Sequence, residues 1–108
     1  MALYKFITYI PDGHLQVVKE ALFDAGAGRY ENYDCCSWQV LGVGQFRPLS
    51  GANPAIGQLG QIEQVDEWRV EMIVEKQHIR AVLDAYRSAH PYEVPAYDLF
   101  AMVDESMI

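Results

Sequence analysis

His90 and Glu93 stand three residues apart in "RSAHPYEVPAYDL", residues 87–99, with Tyr92 and Tyr97 close by and prolines at 91 and 95. An imidazole beside a carboxylate can move a proton or share a metal ion. Metal chemistry needs a larger set, because even a catalytic zinc usually takes three protein ligands. His14, His78, Cys35 or a neighbouring subunit would have to complete it, although His14 and His78, near the starts of the two helices, read first as solvated surface groups. A divalent metal on His90, Glu93 and Cys35 is therefore one expectation. The competing expectation is mechanical: Pro91 stops a helix, Pro95 fixes the approach to a last strand, and the tyrosines pack. The mechanical reading comes first, since one histidine at a helix end is a weak mark of a site.

The stretch "GVGQFRPLSGANPAIG", residues 42–57, contains a G-x-G followed by a long loop rich in glycine and proline. Glycine-rich loops cradle phosphate when they follow a strand and open a helix. Here a second strand follows instead, and Arg47 is the only base nearby. The plainer expectation is a bulged hairpin with a turn started at Asn53-Pro54. Long loops in compact domains often carry function. Gly44, Phe46, Arg47 and Asn53 therefore join Cys35, His90, Tyr92 and Glu93 as candidate ligand contacts.

Cys35 and Cys36 are the only cysteines. A disulfide between neighbours is strained, so free thiols and a reducing compartment are expected. In a regular strand the two side chains would take opposite faces. Neither has an evident activating neighbour, and catalysis by cysteine is not expected. No nucleophile, base and orienting group occur together, which leaves an enzyme as the least supported class.

The chain has 108 residues, about half of them apolar, and a formal charge of −7 from 15 acids and 8 bases. That length suits one domain, 1–108, with a modest core. The acidic balance, without any run of Lys or Arg, argues against nucleic acid and anionic membrane surfaces as partners. No stretch approaches the roughly 20 apolar residues of a membrane helix. The first residues lack a basic region followed by a long apolar core, so a cytoplasmic location is expected.

These residues must be placed by elements that the pattern makes visible. "ALYKFITYIP" is rich in aromatic and β-branched residues and reads as a strand ending at Pro11. Asp12 is the expected cap of a helix in which Leu15, Val18, Leu22 and Ala25 form one stripe. Gly26 and Gly28 are placed to end it. "YDCCSWQVLGVGQF" reads as a second strand, with Cys36, Trp38 and Val40 on one face. In the third, Trp68, Val70, Met72 and Val74 point inward and Arg69, Glu71 and Glu75 outward. The acids Glu63, Asp66, Glu67, Glu71 and Glu75 read as its solvated face. Ile79, Val82, Leu83, Tyr86 and Ala89 give a second helix, and "AYDLFAMV" a last strand. This α+β order, βαββαβ, predicts a ferredoxin-like fold: a four-stranded antiparallel sheet with two helices on one face. The other face needs a cover, which subunit association can supply.

Taken together, "YENYDCCSWQVLGVGQFRPLSGANPAIGQLGQIEQVDEWRVE" and "AHPYEVPAYDL" resemble the small PII-like, CutA-like domain of the YqfO family, the NGG-interacting-factor-three-like proteins. The resemblance runs from about Leu3 to Val103 and rests on G-x-G-x-F-x-P, G-x-N-P-x-I-G and H-P-Y-E-x-P-A-Y. It implies the fold and a tendency to self-associate, a trimer before a dimer. In that family the dinuclear metal site lies in a separate α/β body whose ligands have no counterparts here, so the resemblance carries no hydrolase activity. PII proteins bind nucleotides between subunits with a basic set, whereas Arg47 is nearly alone in its loop. The expected function is a non-enzymatic, homo-oligomeric regulatory module for a small ligand or partner protein. The alternative is CutA-like binding of a divalent metal.

Overall fold

Three of the four strands owe their place to the alternation of β3, Glu63–Glu75. Val70, Met72 and Val74 are at most 2% exposed, while Glu71 and Ile73 between them are half-buried and Arg69 before them is open to solvent. One face of β3 is therefore dry and the other wet, as an antiparallel strand with one covered side requires. The computed structural model describes residues 2–108. Its other elements are β1 (Leu3–Pro11), α1 (Leu15–Asp24), β2 (Trp38–Phe46), α2 (Ile79–Ala89) and β4 (Tyr97–Ala101), with single 3-10 turns at Lys76–His78 and Glu105–Met107.

The sheet order is β2-β3-β1-β4, and every neighbouring pair is antiparallel. With the helices crossing between β1 and β2 and between β3 and β4, this is the ferredoxin-like fold. Val18 and Leu22 of α1 and Val82, Leu83 and Tyr86 of α2 bury one stripe each against Phe6, Ile10, Val70, Met72 and Val74. Each large aliphatic side chain so removed from water contributes about 1.5–3 kcal/mol. The only deeply buried hydroxyl on β1, that of Thr8, donates to the Val70 carbonyl at 3.0 Å, so its burial leaves no polar atom unpaired.

Four expectations are corrected. Asp12 does not cap α1. The chain turns through Gly13 at φ +98°, the helix begins two residues after Gly13, and the cap position falls to His14, which makes no side-chain capping bond. The Asp12 carboxylate instead accepts from Trp68 Nε1 at 2.9 Å. Cys35 and Cys36 precede β2 rather than lying in it. Tyr30 and Tyr33 close a tight turn, Cys35 takes φ +54°, and the Cys36 amide donates to the Gly28 carbonyl at 2.8 Å. The β2–β3 hairpin carries no bulge: its register runs unbroken from Trp38 opposite Glu71 to Phe46 opposite Glu63. His78 is not a solvated surface group, since it sits against Gly26 with a buried Nδ1 that has no partner among the described residues.

The second sheet face carries Lys5, Ile7 and Tyr9 of β1, Trp38 and Val40 of β2, Glu67 to Ile73 at alternate positions of β3, and Asp98 and Phe100 of β4. Glu71 pairs there with Lys5 at 3.6 Å and with Arg69 at 3.3 Å. Trp38 is 60% exposed and Phe100 56%. Among the described residues no helix is long and apolar enough to cross a membrane.

Candidate functional site

Pro91 forces the residue before it out of the helical region, and His90 accordingly ends α2 with φ −75° and ψ 138°. That extended backbone swings the chain across the end of β1. The imidazole is 5% exposed. The Tyr92 amide donates to Nδ1 at 3.1 Å, so the ring proton lies on Nε2, which donates to the Tyr9 carbonyl at 2.8 Å. Burial holds His90 below the usual histidine range, and the Tyr9 carbonyl offsets part of that effect. Both ring nitrogens are engaged within the corner by backbone groups.

Tyr86, on the last turn of α2, completes the corner. Its hydroxyl donates to the Ala96 carbonyl at 2.6 Å and stands 3.4 Å from the Tyr9 amide. Burial raises its pKa well above the ordinary phenol value. The rings of Tyr86, His90 and Tyr92 follow one another at centroid spacings of 5.1 and 4.7 Å.

Beyond this corner lies a cavity of about 370 Å³. The end of β2 supplies Gly44 and Phe46, the loop after it Pro48, Pro54 and Ile56, and β3 supplies Glu67. Tyr92, Glu93 and Val94 form the opposite wall. The walls are mostly apolar, with a few polar groups set among them, as small-molecule sites are built. The Tyr92 hydroxyl donates to Glu67 Oε2 at 2.8 Å, and its ring lies 6.0 Å from Phe46 at 58°. Burial, and then the Glu67 carboxylate, pushes the Tyr92 phenol upward. Glu93 Oε1 accepts from the Asn53 amide at 2.9 Å and so joins the loop to the far wall.

Of the residues singled out in the sequence, Gly44, Phe46, Tyr92 and Glu93 line the cavity, Asn53 contributes its backbone, and His90 stands behind Tyr92. Arg47 is exposed and is not part of the lining. Cys35 lies beyond the start of β2, while the cavity lies at its end. Six residues from Trp38 to Gly44 span about 20 Å of strand. One chain therefore does not bring Cys35 to His90 and Glu93, and among the described residues no three His, Cys, Asp or Glu side chains are grouped to hold a metal ion.

Glu67 was hidden among the outward acids of β3. The available signal was in its partner strand: Glu67 pairs with Gly42, next but one to Gly44. A β-carbon at Gly44 would stand 2.0 Å from Glu67 Oε1. Gly44, the second glycine of the G-x-G, makes room for a carboxylate rather than for a bend. Tyr9, whose hydroxyl donates to Asp98 at 2.8 Å, was also passed over as a wall residue.

No model of a protein family matches the chain. It is 48% identical over 102 residues to the GTP cyclohydrolase 1 type 2 homolog of Mycobacterium leprae, covering 94% of this chain and 26% of that protein. Among solved structures, a Bacillus cereus protein related to NIF3 superposes with a TM-score of 0.82 at 37% identity, over 95% of this chain and 26% of the other. CutA from Xylella fastidiosa superposes with a TM-score of 0.68 at 18% identity, over 94% and 85% of the two chains, a likeness of fold. The resemblance to the YqfO, NIF3-like proteins thus holds along nearly the whole chain, which spans about a quarter of the length of the curated relatives it matches.

Proposed function

We propose that this chain is a non-enzymatic binding module that acts as a homo-oligomer and takes a small ligand in the cavity between the β2–β3 hairpin and residues 92–96. The observation that carries the reading is the cavity itself: about 370 Å³ of mostly apolar wall, with Tyr92, Glu67 and Glu93 fixed by hydrogen bonds. A preorganised pocket loses little freedom on binding, which favours affinity. His90 has both nitrogens committed to backbone groups, which suits support better than proton transfer. The regulatory sense of the binding comes from the likeness to PII-like and CutA-like folds and is an analogy of architecture.

Self-association is supported by Trp38, Val40 and Phe100 on the sheet face that no helix covers. Exposed aromatic and aliphatic groups of this kind mark protein contacts. The test has two parts. Calorimetric titration with a panel of neutral, anionic and cationic small molecules must give heat that disappears when Ala52→Trp, at a half-buried wall position, fills the cavity. Light scattering must give a mass that is a multiple of 12.3 kDa. Flat titrations throughout would remove the binding reading, and a mass of one chain would remove the oligomer.

A further inference from the structure

We infer that the ligand of this cavity is a small protonated amine carried on an apolar body. The inference rests on reading the cavity as the binding site and goes on to the chemistry of its occupant. Phe46, Pro54, Ile56 and Val94 offer an apolar bed for the body. At one side stands Glu67, held by Tyr92 through Oε2 only. Its Oε1 lies in the space that the missing side chain of Gly44 leaves. That oxygen is free to accept a donor from the cavity. Phe46 and Tyr92 present a two-ring notch beside it, with centroids 6.0 Å apart. Aromatic faces attract cations within about 6 Å. Glu93 adds a second carboxylate at the wall.

No Lys, Arg or His belongs to the lining. A carboxylate or phosphate placed here would meet two acids and no counter-charge, whereas an ammonium would meet a free carboxylate oxygen and two aromatic rings. The overall charge of −7 favours the approach of a cation in the same sense.

Three probes of one shape separate the possibilities: phenethylamine, phenethyl alcohol and 3-phenylpropionate, titrated into the full chain by calorimetry or ligand-observed NMR. The amine is expected to bind roughly tenfold or more tighter than the alcohol, since a charge-assisted hydrogen bond is about twice as strong as a neutral one. The carboxylate is expected not to bind. Glu67→Gln keeps a weaker, neutral acceptor for Tyr92 and so should stay folded with only a small drop in melting midpoint, yet it should remove the amine preference while the alcohol still binds. Equal binding of amine and alcohol by the parent chain, or an undiminished preference in Glu67→Gln, would overturn the amine assignment and leave the cavity as a site for neutral ligands. Failure of all three probes to bind would instead overturn the cavity reading on which it rests.

Discussion

Glu67 lies across Gly44, its Oε1 too close for the β-carbon that any other residue at that position would carry. Gly44→Ala therefore has to push the carboxylate aside and part it from the Tyr92 hydroxyl. Losing that bond costs about 1.5–3 kcal/mol, while alanine in a strand regains about 0.5–1 kcal/mol over glycine. The expected result is a net loss of about 0.5–2.5 kcal/mol by urea unfolding, with Tyr92 titrating closer to an ordinary phenol. An unchanged Tyr92 titration, read by difference against Tyr92→Phe, would mean that the contact does not hold the ring.

Gly28 and Gly51 both have positive φ, 78° and 97°, but their surroundings differ. A β-carbon at Gly28 would meet the Cys36 carbonyl at 2.8 Å and its amide at 3.0 Å, both rigid backbone, whereas at Gly51 nothing lies within 4 Å. Gly51→Ala should cost only the backbone strain, about 1 kcal/mol, and Gly28→Ala at least twice that. Parallel melting curves of the two variants decide it, and equal losses would contradict the packing of the 30–36 turn on Gly28.

Tyr86→Phe removes the hydroxyl that donates to Ala96 and leaves that carbonyl and the Tyr9 amide short of a partner. A loss of about 1–3 kcal/mol is expected on chemical denaturation. Tyr86→Ala, which also empties a fully buried ring site, should lose about 3–5 kcal/mol.

Acid and alkali should each weaken the fold through an identifiable group. Burial lowers the pKa of His90 from 6.5 in the native state. The unfolded chain then binds the proton first, so stability falls as pH drops below about 6.5 toward the native pKa. Burial raises Tyr86 and Tyr92 above 10, and the Asp98 contact raises Tyr9. There the unfolded chain loses its protons first, so stability present below pH 10 is lost as pH rises past it. Melting midpoints taken across this range should fall at both ends, and His90→Asn should flatten the acid limb only.

Trp38→Glu and Phe100→Asp place charges on the uncovered face without touching the core. Both should bring the scattering mass to that of one chain while far-ultraviolet circular dichroism stays the same. Retention of the parent mass by both variants would take that face out of the contact.

The elements were legible in the sequence where burial sets the pattern. Val70, Met72 and Val74 alternate because one face of β3 is dry, and Val82, Leu83 and Tyr86 recur at helical spacing because one side of α2 is. Their order then yields the sheet. Cys35 and Asp12 misled for a local reason: positive-φ residues at Gly13 and Cys35 consume chain in turns, and the ends of α1 and β2 shift accordingly.

The site was legible only in part. "HPYE" and the loop around Asn53 stood out by composition, and they do meet, through the Asn53 amide and Glu93. Glu67 looks like any outward acid of a strand. Its role depends on a glycine in the neighbouring strand, set by register, and on a tyrosine 25 residues later, brought in by the corner after α2.

The position of β1 between β3 and β4 has a consequence for how the protein is made. Tyr4 faces Val74 on one side and Ala101 on the other. The first strand of the domain must wait for its last before its hydrogen bonds are complete. Closing such distant pairings slows folding. During synthesis, "ALYKFITYIP" remains an apolar ribbon without partners, in need of protection until its two neighbours arrive.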